Sequence, residues 1–259
     1  MLIYKIKLLL KLLKYPTTRP EMFAFLRAFF AARNKVVSVN FAGRKIRMND
    51  SVAFLVMCEE IFGREIYAFR SENQAPRIID CGLNIGLASL FWVKKFPNAR
   101  ITAFEPDPEI LRLAKSNLEG YGVEIKERAV WSSETELSFS QEGVSAGRLE
   151  SGGNIKVKTL RLKDLLTEKI DFLKIDIEGA ETVVLRDCAE NLSNVQNLFV
   201  EYHSFVEQEQ SLSEILNILS KAGFRYYLEH NGIRSKTPFL YRSRMNDCDN
   251  YINIFAYRV

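Results

Sequence analysis

The stretch Arg77-Ile-Ile-Asp-Cys-Gly-Leu-Asn-Ile-Gly-Leu-Ala-Ser-Leu90 decides the fold. Ile78 and Ile79 read as the end of a buried strand. Asp80 stands where that strand stops. Gly82 and Gly86 permit a tight turn and the close approach of a ligand to the backbone. From about Gly86 to Phe96 the pattern is a helix whose N-terminus points at whatever fills the crevice. Further on, a second apolar run also ends in an acid, Ile101-Thr-Ala-Phe-Glu105-Pro106. Two strand-end carboxylates around a glycine turn suit a ligand that carries a ribose and an amino group. The dinucleotide fingerprint fits poorly, because it requires Gly-x-Gly-x-x-Gly directly after the strand and position 84 is Asn. A carboxylate at position 80 would also face a pyrophosphate.

Outward from this stretch, strands and helices alternate. A hairpin is expected around Gly43, formed by Val36–Phe41 and Lys45–Met48, followed by a helix from Ser51 to Phe62. Later strands are expected at 100–104, 123–130, 135–140, 155–160, 170–175, 197–201, 224–229 and 251–257. Helices fall near 108–118, 162–167, 179–187 and 211–222. This alternation predicts an α/β fold with a doubly wound, mainly parallel sheet. Ligands in such sheets sit beyond the carboxyl ends of the strands. The 259 residues, 47% hydrophobic, suffice for one large domain with a small extension. Cys58, Cys81, Cys188 and Cys248 match neither a zinc site nor a disulfide framework, which points to a reduced, cytoplasmic protein.

The net charge of +4 is unevenly spread. Residues 1–35 carry eight Lys or Arg and a single acid, Glu21, which leaves the remainder mildly acidic. That distribution argues against a nucleic-acid groove, which needs basic residues along the catalytic face. The opening run MLIYKIKLLLKLLK has a lysine stripe (Lys7, Lys11, Lys14) on an otherwise apolar helix, with Lys5 on the apolar side and expected to snorkel. Four lysines exclude a membrane span. Two readings stand side by side. One is an in-plane helix, residues 1–15, on the inner face of the plasma membrane. The other is a helix packed on its own domain or on a partner.

Polar residues mark four strand ends: Asp80, Glu105, the pair Asp176 and Glu178, and the pair Glu201 and His203. In a parallel sheet all four open on one side. Ile-Asp-Cys-Gly-Leu-Asn-Ile-Gly (79–86), Ala-Phe-Glu-Pro-Asp-Pro (103–108), Ile-Asp-Phe-Leu-Lys-Ile-Asp-Ile-Glu-Gly-Ala-Glu (170–181) and Glu-Tyr-His (201–203) resemble the ordered motifs of the FkbM family. Leu83 departs from the resembled pattern, which more often has a small residue there. The resemblance implies a class I, Rossmann-like methyltransferase that uses S-adenosylmethionine. It also implies O-methylation of a hydroxyl, on a sugar or an envelope glycan precursor. The rivals are a small-molecule O-methyltransferase of secondary metabolism and a non-catalytic cofactor-binding scaffold. The expected division is a basic helical extension, 1–35, and a methyltransferase domain, 36–259. Within that domain the cofactor half covers about 76–140 and the acceptor half 141–259.

The residues themselves supply roles consistent with that implication. Asp80, Gly82, Asn84, Gly86, Glu105, Pro106 and Asp176 are expected to hold the cofactor, with Glu105 accepting from ribose hydroxyls. The bland readings are a turn-forming Asp80 and a Glu105 that merely faces a helix N-terminus. Arg128 to Trp131 is expected to border the adenine, with Trp131 equally placed as core. If the strand persists, Asp176 and Glu178 share one face. His203 is the candidate general base, on its near-neutral reference pKa, aided by Asp176, Glu178 and Glu201. Its bland reading is a satisfied core histidine. Glu178, Glu181, Ser145 and Arg148 are candidate substrate contacts. The loop 141–154 and the segment 47–70 are expected to cover the acceptor pocket. Asp176, Glu178, Glu201 and His203 also form a donor set for Mg²⁺ or Mn²⁺, ranked below a metal-free site.

Overall fold

The computed structural model describes residues 2–15, 19–32, 35–141, 147–149, 152–232, 236–240 and 247–259. Its frame is a seven-stranded sheet in the order β12-β13-β11-β10-β3-β4-β5. These strands are β3 (Arg77–Cys81), β4 (Arg100–Phe104), β5 (Val123–Lys126), β10 (Ile170–Ile175), β11 (Val195–Phe205), β12 (Arg225–His230) and β13 (Cys248–Tyr257). From β11 to β5 every pairing is parallel, and β13 alone runs antiparallel to both of its neighbours. This is the doubly wound sheet expected, and all but one of its strands point the same way.

Period-two alternation builds a core on each face of the sheet. Ile78, Phe172 and Phe199 face one side, where they meet α4 (Leu87–Lys95) and its fully buried Trp92. Ile79, Leu173, Leu198 and Val200 face the other, against α6 (Glu181–Cys188) and α7 (Leu212–Lys221). Helix α5 (Pro108–Asn117) begins with Asp107, whose Oδ1 accepts from the backbone N–H of Glu109 at 2.8 Å. Pro at its first position is a favoured start.

The first 35 residues share the first of these cores. Leu8 and Leu12 of α1 (Leu2–Leu12) and Ala24, Phe25 and Ala28 of α2 (Arg19–Phe30) are buried in it. Helix α1 therefore packs on its own domain. Lys5 does not snorkel. It is 7% exposed, and its Nζ donates to Phe29 O at 3.0 Å, Ala31 O at 3.1 Å and Ser51 Oγ at 3.0 Å. The ammonium caps the end of α2, where carbonyls lack helical partners. The hairpin forms as expected from β1 (Val37–Phe41) and β2 (Arg44–Met48), with Ala42 and Gly43 at positive φ.

Two local expectations fail. The strand expected over 123–130 breaks. Its second part becomes β6 (Ala129–Trp131), which joins β7 (Glu136–Ser140), β8 (Arg148–Leu149) and β9 (Ile155–Arg161) in a separate four-stranded sheet. The helix expected from Ser51 to Phe62 changes winding: α3 (Ser51–Met57), capped by Asp50, continues as a π-helical turn, Cys58–Gly63. No helix among the described residues is long and apolar enough to cross a membrane.

Candidate active site

At the carboxyl end of β3 the chain turns through residues 82–86. The amides of Gly82 and Leu83 both donate to Phe104 O, at 3.2 and 2.9 Å, and tie the turn to β4. Gly82 has φ +90°, and a Cβ there would lie 1.8 Å from Asp176 O. Only glycine lets these two strand ends cross so closely. Asn84 takes φ +50°, a left-handed position that asparagine tolerates, and its Oδ1 accepts from Ile85 N–H at 2.7 Å.

Beside this turn lies a partly open cavity. Gly82, Asn84, Glu105, Pro106, Asp176 and Glu178 all line it. Glu105 is 8% exposed. Its Oε2 accepts from Asn84 N–H at 2.8 Å and its Oε1 from Asp107 N–H at 3.1 Å. Each oxygen keeps a second lone pair for a ligand. Burial pushes the carboxyl up to about 7, against the lowering pull of those two N–H donors. Arg128, Ala129 and Val130 line the cavity as expected, whereas Trp131 does not. Phe139, Leu149 and Ile177 add apolar wall that the sequence reading missed, and Asp107, which accepts from Gln141 Nε2 at 3.0 Å, adds a polar group to it.

Asp80 and Gly86 are placed differently from expectation. Asp80 is wholly buried and does not reach the cavity wall. Its Oδ2 accepts from Ser89 Oγ at 2.8 Å, and Lys174 Nζ lies 3.5 Å from its Oδ1. Burial raises this carboxyl despite the nearby ammonium. Lys174, 3% exposed, donates to Gly82 O at 2.8 Å and pairs with Asp176 Oδ2 at 3.1 Å. Asp80 thus acts on the cavity through Lys174. Gly86, at φ +89°, packs under Leu118 at the N-cap of α4 and is not among the cavity-lining residues.

Strand β10 ends at Ile175, so Asp176 and Glu178 sit in a turn and not on one strand face. Glu178 takes φ +52° and Gly179 φ +98°. Glu181 secures that turn: its carboxylate accepts from Gly179 N–H at 2.9 Å and from Ile177 N–H at 3.3 Å. At 1% exposure it is a positioning group, which corrects its placement among substrate contacts.

His203, on β11, is buried between two acids. Its Nδ1 lies 2.9 Å from Glu181 Oε1 and its Nε2 3.3 Å from Glu178 Oε2. Burial alone would lower its pKa, but Glu178 and Glu181 hold it well above the ordinary value. The near-neutral reference expected for this ring is therefore shifted towards its protonated form. Burial would likewise raise Asp176, yet Lys174 and His203 keep it below the usual carboxylate range. Glu201 goes the other way, raised by burial and by the charge of Asp176. Asp176, Glu178 and His203 each offer a ligand atom within 4.8 Å of the others, and Glu201 lies outside that group.

Glu60, on the π-helical turn, is an acid that feels the charge of Asp176 and that the sequence reading did not single out. Burial and the charges of Glu59 and Asp176 push it up to about 7. Asn231 bridges it to Glu201, donating to Glu201 Oε1 at 2.7 Å. Arg148 lies over the Phe205 ring, 4.7 Å from its centroid, beside the cavity-lining Leu149. Ser145 lies outside the described residues, as does much of the loop expected to cover the pocket.

Comparison with known proteins bears on the family and the fold. The family model described as the methyltransferase FkbM domain matches residues 80–226. Methyltransferase sdnD of Sordaria araneosa is 31% identical over 187 residues, covering 55% of this chain and 72% of that protein. Hexuronic acid methyltransferase AglP of Haloferax volcanii is 27% identical over 177 residues, covering 65% and 70%. 2-O-methyltransferase NoeI of Sinorhizobium fredii is 25% identical over 176 residues, covering 57% and 72%. Among solved structures, the SAM-dependent methyltransferase of Agrobacterium tumefaciens has a TM-score of 0.53 at 12% identity, covering 88% of this chain and 72% of that one. Methyltransferase FkbM of Methylobacillus flagellatus has a TM-score of 0.50 at 14% identity, covering 96% and 58%. These structures share the class I methyltransferase fold, and with a family match over more than half its length the chain belongs to the FkbM methyltransferase family.

Proposed function

We propose that the chain is an S-adenosylmethionine-dependent O-methyltransferase whose acceptor is a sugar hydroxyl. The observation that carries this reading is one cavity that Asn84, Glu105, Asp176 and Glu178 all line, with His203 3.3 Å behind Glu178. The residues fit the cofactor. Glu105 keeps lone pairs for two ribose hydroxyls, the apolar wall of Val130, Phe139 and Leu149 suits a base, and Asp176 offers an ionised carboxylate to a cation. When bound, the cofactor supplies an electrophilic methyl group on a sulfonium. The acceptor hydroxyl must lose its proton during attack. Glu178, which borders both the cavity and His203, is placed to take it, and Glu181 fixes the ring through Nδ1. A metal ranks below this reading because Lys174 Nζ already pairs with Asp176 Oδ2, one of the carboxylate oxygens a metal would need.

The sugar preference is supported by the relatives described as hexuronic acid and 2-O-methyltransferases, and by the polar groups Glu60, Glu201 and Asn231 near the cavity. The test is transfer of a labelled methyl group to a panel of glycans and of small hydroxylated metabolites. Alkali-stable label on a glycan hydroxyl, undiminished in EDTA, is the expected result. Alkali-labile label, or label confined to the metabolites, overturns it.

A further inference from the structure

Helix α1 has two apolar faces, and the fold covers only one. Lys5, Leu8 and Leu12 turn inward. Ile6, Leu10 and Leu13 turn outward and are 42%, 57% and 44% exposed. At 100° per residue these three fall within an arc of about 60°. Lys7, Lys11 and Lys14, all exposed, line one edge of that arc. Helix α2 repeats the pattern, with Phe23, Leu26 and Phe30 exposed at spacings of three and four and Arg27 beside them. Large side chains in an exposed row mark a surface that binds something.

Charge selects the occupant. Lys7, Lys11, Lys14 and Arg27 give this surface one sign, and Glu21 is the lone acid in the first 35 residues. A second copy docking here would set lysines against lysines. An anionic bilayer satisfies both the lysines and the apolar row, with the helix lying in the plane of the headgroups. The position of α1 adds a use. It packs on the π-helical turn that carries Glu60: Tyr15 Oη donates to Glu59 Oε1 at 3.5 Å, and Lys11 Nζ is 3.9 Å from the same oxygen. Burial raises the Tyr4 phenol, and the charges of Glu60 and Glu59 raise it further. A bilayer on the outer face of α1 would therefore lie next to the half of the site assigned to the acceptor.

We infer that the outer face of α1 docks on an anionic lipid surface and brings the site to acceptors held there. The docking claim stands apart from the reaction proposed above and is tested without turnover. The full chain is floated with vesicles of phosphatidylcholine and phosphatidylglycerol in equal parts, and with phosphatidylcholine alone. Binding to the first and not the second, weakened by salt, is expected. Replacing all three lysines (Lys7→Gln, Lys11→Gln, Lys14→Gln) should lower partitioning roughly a hundredfold, from about fivefold per lysine. Leu10→Glu should lower it as well, and both variants should melt like the parent. Failure of the parent to float, equal binding to neutral vesicles, or undiminished binding by both variants overturns the inference. So does a dimer in lipid-free solution that Leu10→Glu dissociates, which would assign the face to a second copy.

Discussion

At Glu105, burial and two backbone N–H donors pull the proton affinity in opposite directions, and burial wins, leaving the carboxyl at about 7. The ionised form is the better acceptor for ribose hydroxyls and the better neighbour for a sulfonium. Cofactor affinity should therefore rise with pH up to about 7 and then level off, with proton release on binding below that point. Calorimetry in buffers of differing ionisation heat measures both. Glu105→Gln should weaken binding about ten- to a hundredfold and flatten the pH dependence; unchanged affinity would remove Glu105 from the cofactor site. His203 carries the opposite sign. Its pKa is raised above the ordinary 6.5 by Glu178 and Glu181. The ion pairs thus contribute stability in full below about pH 6.5, and that contribution is lost as pH climbs through the folded-state value. Turnover should show no inflection near 6.5. His203→Asn, which removes the ring that orients Glu178, should cut kcat by roughly 10²-fold while cofactor affinity stays put. Equal turnover would leave His203 a structural residue. That a histidine and carboxylates gather here was legible from residues 176–181 and 201–203. The charge state was not, because it depends on burial and on Glu181 folding back from the next helix.

Elements were legible where apolar periodicity speaks and illegible where the backbone leaves a regular path. Strands β3, β4, β10 and β11 follow from runs such as Ile78-Ile79 and Phe172-Leu173. Nothing in Val123 to Val130 reports that the chain changes sheets between Lys126 and Ala129. Likewise the π-helical turn at Cys58–Gly63 keeps the residue types of an ordinary helix, so Glu60 stayed hidden. Such turns recur at functional sites because they re-aim a side chain. Glu60→Gln should raise KM for the acceptor more than it lowers kcat, and leave cofactor affinity alone. The glycine turn after β3 has the firmest consequence at this scale. Gly82→Ala combines positive φ with a Cβ that would sit 1.8 Å from Asp176 O. Gly120 also has positive φ, +82°, but open space around it. Denaturant titration should give a loss above about 3 kcal/mol for the first and about 1 kcal/mol for Gly120→Ala. Equal losses would mean that strain at φ, and not the strand crossing, governs both.

Across the whole molecule, one buried ammonium joins the sheet to the cavity. Lys174 sits in the apolar strand Ile170–Ile175, and a sequence reading gives a lysine there no partner. The fold supplies two, because parallel pairing sets Lys174 opposite Asp80 in β3, and the next residue after the strand is Asp176. Burial alone would lower its pKa, but the charges of Asp176 and Asp80 hold it above the ordinary lysine value. The ammonium also donates to Gly82 O, so the cofactor turn, the strand end and the proton-handling carboxylates share one tether. Lys174→Met keeps the bulk and removes the charge, leaving Asp80 wholly buried without its cation. The cost should be about 3–5 kcal/mol, the range for stranding a buried partner. The double variant with Asp80→Asn should recover part of that loss, giving a favourable coupling of order 1 kcal/mol or more in a double-mutant cycle. Cofactor affinity should fall in the single variant because Asp176 is also left without its ammonium. If stability dropped but the second substitution restored nothing, Lys174 would be paired in effect with Asp176 alone. The strand-end acid at position 80 would then be a passenger in the fold.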